Sequence, residues 1–200
     1  KFGESVLAAA LGEPTPEGGY PGEYVQELGQ KVLEQRPDLG DLPRAEGVAT
    51  ARELGYPLML GLIQDTLERF GVHFDVWFSE QSLHDEGAVD KAIARLREQG
   101  HVYDADDAVW LRTTDFGDDK DRVLIRSNGE HTYFASDAAY YLSKKDRGFT
   151  EKIYLLGADH HGYVNRLKAI SSAAGDDADK NIESRIGQLI SINGARLSKR

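Results

Sequence analysis

Ile153-Tyr154-Leu155-Leu156-Gly157-Ala158-Asp159-His160-His161-Gly162-Tyr163 is the stretch that decides the fold. Its first four residues form an apolar run short enough for a buried strand. Tyr163 to Ala174 reads as a helix that stops at Gly175. Strand followed by helix puts Asp159, His160 and His161 at the carboxyl end of a strand, where open α/β sheets bind ligands. Gly157 and Gly162 allow close backbone approach there. An Asp in that place can accept hydrogen bonds from a ribose, and a His can donate to or accept from a substrate. The alternative is structural: an Asp capping a helix, beside two incidental histidines.

Outward from this stretch, the second half of the chain alternates strand and helix, which points to a parallel α/β sheet. Val109 to Arg112 and Arg122 to Arg126 read as strands joined by a polar loop, and Asn128-Gly129 between Ile125 and Tyr133 signals a hairpin. Ser136 is placed to cap a helix running to about Lys145. Leu189 to Ile192 is a short apolar run ending in an Asn193-Gly194 turn. Glu86 to Glu98 is amphipathic, with Val89, Ala92, Ile93 and Leu96 on one face and Gly100 as its stop. Phe74 to Phe78 reads as a strand. Upstream, helices are expected over 1–12, Tyr24 to Gln35 and Pro57 to Phe70, with Pro57 in a first turn and Gly71 as a stop. A loop over 12–22 and a Pro-, Gly- and Asp-rich linker from Arg36 to Gly47 separate them.

Three further groups of residues bear on chemistry. Tyr133, expected at a strand end, and Asp137, expected in the first turn of the following helix, form a phenol and a carboxylate that could face one pocket. A carboxylate pairs with a guanidinium through two parallel hydrogen bonds. Equally, an Asp in a first helical turn is stabilised by the helix dipole alone. Asp115 to Arg122 is dense in charge, but its spacing is not that of a calcium loop, so a solvated, salt-bridged loop is expected. Ser198-Lys199-Arg200, after a strand and a tight turn, can hold a polyphosphate, although charged residues at a chain end are usually just solvated.

Composition narrows the class. The chain has 200 residues, 40% of them hydrophobic, enough for one or two domains with a core. It has no Cys, which excludes disulfides and thiolate metal sites and fits a reducing compartment. The net charge of −10 argues against broad, nonspecific nucleic-acid binding by this piece. An acidic pocket would suit a cationic small substrate, while the charge as a whole serves solubility. No run is long enough to cross a bilayer and no stretch resembles a signal peptide. The chain starts at Lys1 rather than Met, a hint of truncation.

Taken in order, Phe74 to Glu80, Phe116 to Arg122, Thr132 to Asp137, Gly157 to Tyr163 and Arg196-Leu197-Ser198-Lys199-Arg200 resemble class I aminoacyl-tRNA synthetases, and specifically the arginyl-tRNA synthetase family. The likeness runs from about Phe74 to Arg200. The last five residues are similar to the family's KMSKR signature, with Arg196 and Leu197 where the pattern favours Lys and Met. The resemblance implies a two-step reaction in which arginine attacks the α-phosphate of ATP and the arginyl group then moves to tRNA(Arg). It implies that Tyr133, Asp137 and His160 bind arginine, and that Gly157 and Asp159 bind ATP. Ser198 and Lys199 would close over the triphosphate and act as the catalytic pair, with magnesium accompanying ATP and no tightly bound cofactor or protein metal site.

The fold implied is an incomplete Rossmann-like class I core. Residues 1–79 would be a helical region and strand of that core, 80–128 an inserted connective segment with a helix and hairpin, and 129–200 its second half. The family's HIGH signature and its anticodon-binding domain are not in the sequence, so the chain alone is expected to be inactive and its parent cytoplasmic. Two rivals stand beside this reading. A metal-dependent phosphoesterase is suggested by the likeness of Asp159-His160-His161 to a DHH motif, and would need further Asp and His ligands for two metals. A noncatalytic, synthetase-like binding module is the other.

Overall fold

The computed structural model describes residues 1–188 and 190–196, so Ser198 and Lys199 lie outside the described residues. The chain divides into two compact units, Lys1–Val76 and Trp77–Arg196.

The first unit holds three helices, α1 (Phe2–Ala10), α2 (Glu23–Gln35) and α3 (Arg44–Arg69), packed around Val6, Leu7, Val32, Leu39 and Ala51. Glycines let the helices approach closely. A Cβ on Gly29 of α2 would come within 2.5 Å of the Ala10 nitrogen, and one on Gly3 of α1 within 2.4 Å of the Val48 carbonyl oxygen. Helix α3 departs from the sequence expectation. It starts at Arg44 rather than Pro57, and the expected linker is a short 3₁₀ turn over Leu39–Asp41. Gly47, Ala51 and Gly55, spaced four apart, form a buried stripe, with Gly47 set against Leu7 and Gly55 against Val6. That packing outweighs the one backbone hydrogen bond an internal proline forgoes.

Exposed coil leads from the end of the first unit into the second. Phe74–Phe78 is not a strand: no described strand pairs with it, and Phe74, Val76 and Trp77 are exposed. A short helix α4 (Gln81–Asp85) leads into α5 (Ala88–Glu98), whose Val89, Ala92, Ile93 and Leu96 are buried as expected. An antiparallel sheet follows, β1 (Val102–Ala105), β2 (Ala108–Leu111) and β3 (Arg122–Ile125), in the order β1-β2-β3. Strand β1 was not foreseen. It is joined to β2 through Asp106-Asp107, both at positive φ as a two-residue hairpin turn demands. The Asn128-Gly129 hairpin closes with a single bridge, Ile125 to His131. Thr132 ends it by capping α6 (Tyr133–Asp146), its Oγ1 accepting from the Ala135 N–H and donating to the Val123 carbonyl. The cap is therefore Thr132 rather than Ser136. Tyr133 is the first helical residue rather than a strand end, and Asp137 lies one turn further in.

Strand β4 (Lys152–Gly157), a 3₁₀ turn over Ala158–Tyr163, α7 (Val164–Ala173), α8 (Ala178–Asn181) and β5 (Ile182–Gly187) complete a strand–helix–strand unit. β4 and β5 are parallel, in register from Lys152↔Ile182 to Gly157↔Gly187. β4 is not buried on both faces. Tyr154 and Lys152 point inward, where Lys152 Nζ meets the Tyr141 hydroxyl of α6 at 3.3 Å, but Ile153 and Leu155 are 60% and 81% exposed. A last hairpin, β6 (Ser191–Ile192) and β7 (Ala195–Arg196), turns at Asn193-Gly194. The core of the unit joins α5, the inner faces of β2 and β3, α6 and α7 through Leu96, Leu111, Leu124, Tyr141 and Ile170. No described helix is long and apolar enough to cross a membrane.

Candidate functional site

Helix α6 organises the site. Because Thr132 ties its first turn to β3, Tyr133 and Asp137 stand four residues apart on one helix face. Tyr133 is 85% exposed. It lines a cleft of about 420 Å³ together with Glu80, His84, Arg126, His131 and Ser136. Asp137 is half-buried and accepts a hydrogen bond from the Tyr163 hydroxyl. Burial raises its carboxyl above the usual aspartate range; the Tyr163 bond pulls the other way, and the negative charge of Glu80 raises it further. Tyr163 is in turn raised, first by burial and then by its bond to Asp137.

Two turns along the same helix, Lys144 lies over the ring of Tyr140, with Nζ 3.7 Å from the ring centre, and 4.7 Å from that of Tyr154 on β4. Burial lowers its amine to about 8, helped by the charge of Arg147 and opposed by Asp137. Tyr140 stacks on Phe78 at 4.6 Å, which fixes the start of the 77–80 coil against α6.

At the carboxyl ends of β4 and β5, Gly157 carries the 3₁₀ turn that holds Asp159, His160 and Tyr163. A Cβ at Gly157 would sit 2.6 Å from the Asp159 carboxylate, so glycine leaves room for that side chain to fold back over the strand end. Asp159 and His160 are both largely exposed, 4.0 Å apart at Oδ2 and Nε2. No hydrogen bond or ion pair among the described residues joins His160 to Tyr133 or Asp137. The strand-end segment reaches α6 through Tyr163 instead. Of the sequence-derived residues, the structure therefore brings Asp137 and the Gly157–Tyr163 turn together. It places Tyr133 in the neighbouring cleft and leaves Asp159 and His160 open to solvent.

Sequence reasoning assigned no role to Tyr163, Glu80, His84 or Lys144. Tyr163 and Glu80 lie inside the stretches that carried the family likeness, so a signal for them was present. His84 and Lys144 become visible only when α4 and β4 are packed on α6. The charged loop is less solvated than expected. Asp118 is buried and accepts two hydrogen bonds from Arg122 at 2.7 and 2.9 Å, and Asp121 is held by Thr114 and Tyr103. Among the described residues no group of three or more His, Asp or Glu is placed to hold a metal ion. The donor set needed by the phosphoesterase reading is not assembled there.

No family model matches the chain. The arginine–tRNA ligase of Renibacterium salmoninarum is 66% identical over 199 residues, covering all of this chain. Along its whole length the chain is similar to a segment of arginine–tRNA ligases. It spans 36% of the length of that relative. An arginyl-tRNA synthetase structure from Campylobacter jejuni superposes with a TM-score of 0.85 at 32% identity, covering 98% of this chain and 44% of that one. The arginyl-tRNA synthetase of Thermus thermophilus, at 19% identity, shares the fold with a TM-score of 0.71 over 98% of this chain and 41% of that one. The mixed α/β class expected from the sequence is the class observed, and neither rival reading finds support among these relatives.

Proposed function

We propose that this chain carries the amino-acid side of the active site of an arginine–tRNA ligase, which activates L-arginine with ATP and transfers it to tRNA(Arg). The observation that carries the reading is Asp137: a half-buried carboxylate on α6, held by Tyr163 from the strand-end turn, beside a cleft lined by Tyr133 and Glu80. A guanidinium entering this cleft meets the phenol of Tyr133 and the carboxylate of Glu80, with Asp137 next to Ser136 on the same helix. Glu80 already raises Asp137, so a bound cation relieves that repulsion and favours both ionised forms. Lysine presents a point charge and cannot satisfy paired carboxylates with the planar fork that arginine offers.

Asp159 and Gly157, at the carboxyl ends of parallel strands, are suited to the ribose of ATP, with His160 at the amino-acid end. Their exposure fits residues that ligand and the remainder of the ligase would cover. Ser198 and Lys199 close over the triphosphate, with magnesium arriving on ATP, and stabilise charge developing at the α-phosphate. Positioning and electrostatics supply the rate without a covalent nucleophile. In this reading residues 80–128, with the antiparallel β1–β3 sheet, are the connective insertion. Residues 1–79 and 129–200 belong to a Rossmann-like core. The setting is cytoplasmic, in keeping with a chain free of Cys.

Arginine-dependent ATP–pyrophosphate exchange tests this in a full-length ligase carrying the segment. Asp137→Asn is expected to raise the arginine KM about a hundredfold with little change in the ATP KM, and Lys199→Ala to lower kcat. Exchange by the 200-residue chain alone is expected to be absent. An Asp137→Asn enzyme with an unchanged arginine KM would refute the assignment.

A further inference from the structure

Between Tyr133 and Asp137 on α6 sits Ser136, which is only 3% exposed. Its Oγ lies 3.2 Å from Nε2 of His84, the fourth residue of α4. No other hydrogen bond to that hydroxyl occurs among the described residues. A buried hydroxyl held by one partner is a directional tie rather than a surface contact. The tie has a particular location. α4 is one turn long and follows Glu80 directly, so whatever fixes His84 fixes Glu80 and Gln81 at the mouth of the cleft. Leu83, 3% exposed, anchors the other side of this turn in the core. The stacking of Phe78 on Tyr140 holds the coil on the far side of Glu80. Glu80 is thus bracketed by two attachments to α6. The one that follows Glu80 in the chain is polar and sits on the same helix turn as the proposed guanidinium-binding pair.

We propose that His84, through its hydrogen bond to Ser136, is a specificity-determining positioning residue of the arginine site. It sets the spacing between Glu80 and the Tyr133–Asp137 face of α6. The proposal rests on the reading that Asp137 and Tyr133 hold the arginine side chain. A guanidinium is rigid and its donors point in fixed directions, so its affinity depends on carboxylate spacing more steeply than that of a flexible ammonium. Loosening the tie therefore lowers arginine affinity and narrows the margin over lysine, leaving the nucleotide side untouched.

The test uses full-length ligase carrying this segment, with exchange kinetics for arginine, lysine and ATP and a melting curve for each variant. His84→Ala is expected to raise the arginine KM about tenfold, with kcat and the ATP KM within twofold of wild type. His84→Gln, whose amide reaches the same position as Nε2, is expected to restore most of the loss. Ser136→Ala is expected to match His84→Ala, and the double variant to be no worse than either single one. An unchanged arginine KM in His84→Ala and Ser136→Ala overturns the proposal. So does a parallel rise in the arginine and ATP KM with a lowered melting temperature, which is the mark of a merely structural contact. If His84→Ala does not fold, His84→Gln and Ser136→Ala decide by the same criteria. Asp137→Asn run alongside separates the two levels. An effect of Asp137→Asn with none of His84→Ala sinks only the positioning role, whereas no effect of Asp137→Asn sinks the site and this proposal with it.

Discussion

Individual side chains in this molecule do two kinds of electrostatic work. Asp118 serves the fold. Burial alone would raise its carboxyl, but the paired hydrogen bonds from Arg122 and the Asp119 N–H outweigh that and hold it at about 2. Its folded value lies below the unfolded one, so its contribution is complete above about pH 4 and is lost as the pH falls towards 2. Asp118→Asn is expected to cost roughly 2–3 kcal/mol at pH 7, measured by urea unfolding, with the difference from wild type shrinking towards pH 2. Asp137 belongs to the proposed site, and its shift runs the other way. In the proposed function arginine binding needs its carboxylate, so affinity is expected to fall on acidification at a higher pH than for an exposed aspartate. The Tyr163 bond lowers Asp137, so Tyr163→Phe is expected to move that acid limb to still higher pH. An arginine titration series between pH 4 and 8 reads the limb directly; a limb that stays put in Tyr163→Phe would remove Tyr163 from the site.

At the scale of elements, packing decides where local patterns are ambiguous. Helices with strong periodicity, α2 and α5, were legible within a residue or two. α3 was half-read, because Pro57 looks like a start signal when the stripe Gly47–Ala51–Gly55 has no visible partner in one dimension. Strand β5, Ile-Glu-Ser-Arg-Ile-Gly, is too polar to announce itself. It exists because β4 lies beside it as a template. β4 itself reads as doubly buried by its apolar run, yet Ile153 and Leu155 face outward. Asn128-Gly129 signals a hairpin, but Thr132 diverts the chain into α6 after one bridge. In the site, the motif positions Asp137 and Gly157–Tyr163 were legible, whereas the cross-element contacts through Tyr163, His84 and Lys144 were not, since no spacing encodes them. The small-residue contacts make a direct prediction. A Cβ at Gly29 would press on backbone atoms of α1, at 2.5 Å from the Ala10 nitrogen and 2.8 Å from the Ala9 carbonyl carbon, which cannot yield as a side chain would. Gly29→Ala is therefore expected to destabilise the first unit by about 1–3 kcal/mol in thermal or urea unfolding, despite alanine's better helix propensity.

For the molecule as a whole, the two compact units meet in sequence at exposed coil after Gly71, where Phe70, Phe74 and Trp77 are accessible. Limited chymotrypsin digestion is expected to cut first between residues 70 and 78, and to leave the fragment carrying α5 through β5 intact. First cuts inside α6 or α7 would contradict the described packing. The central claim concerns the second unit: that α6 and the turn after β4 together form the arginine side of a ligase active site. Calorimetric titration of arginine into a full-length ligase carrying this segment, beside its Asp137→Asn variant and with lysine as the control ligand, tests it most directly. The account predicts arginine binding by the wild type, about hundredfold weaker binding by Asp137→Asn, and no comparable binding of lysine by either. Equal arginine affinity in the two proteins would contradict it.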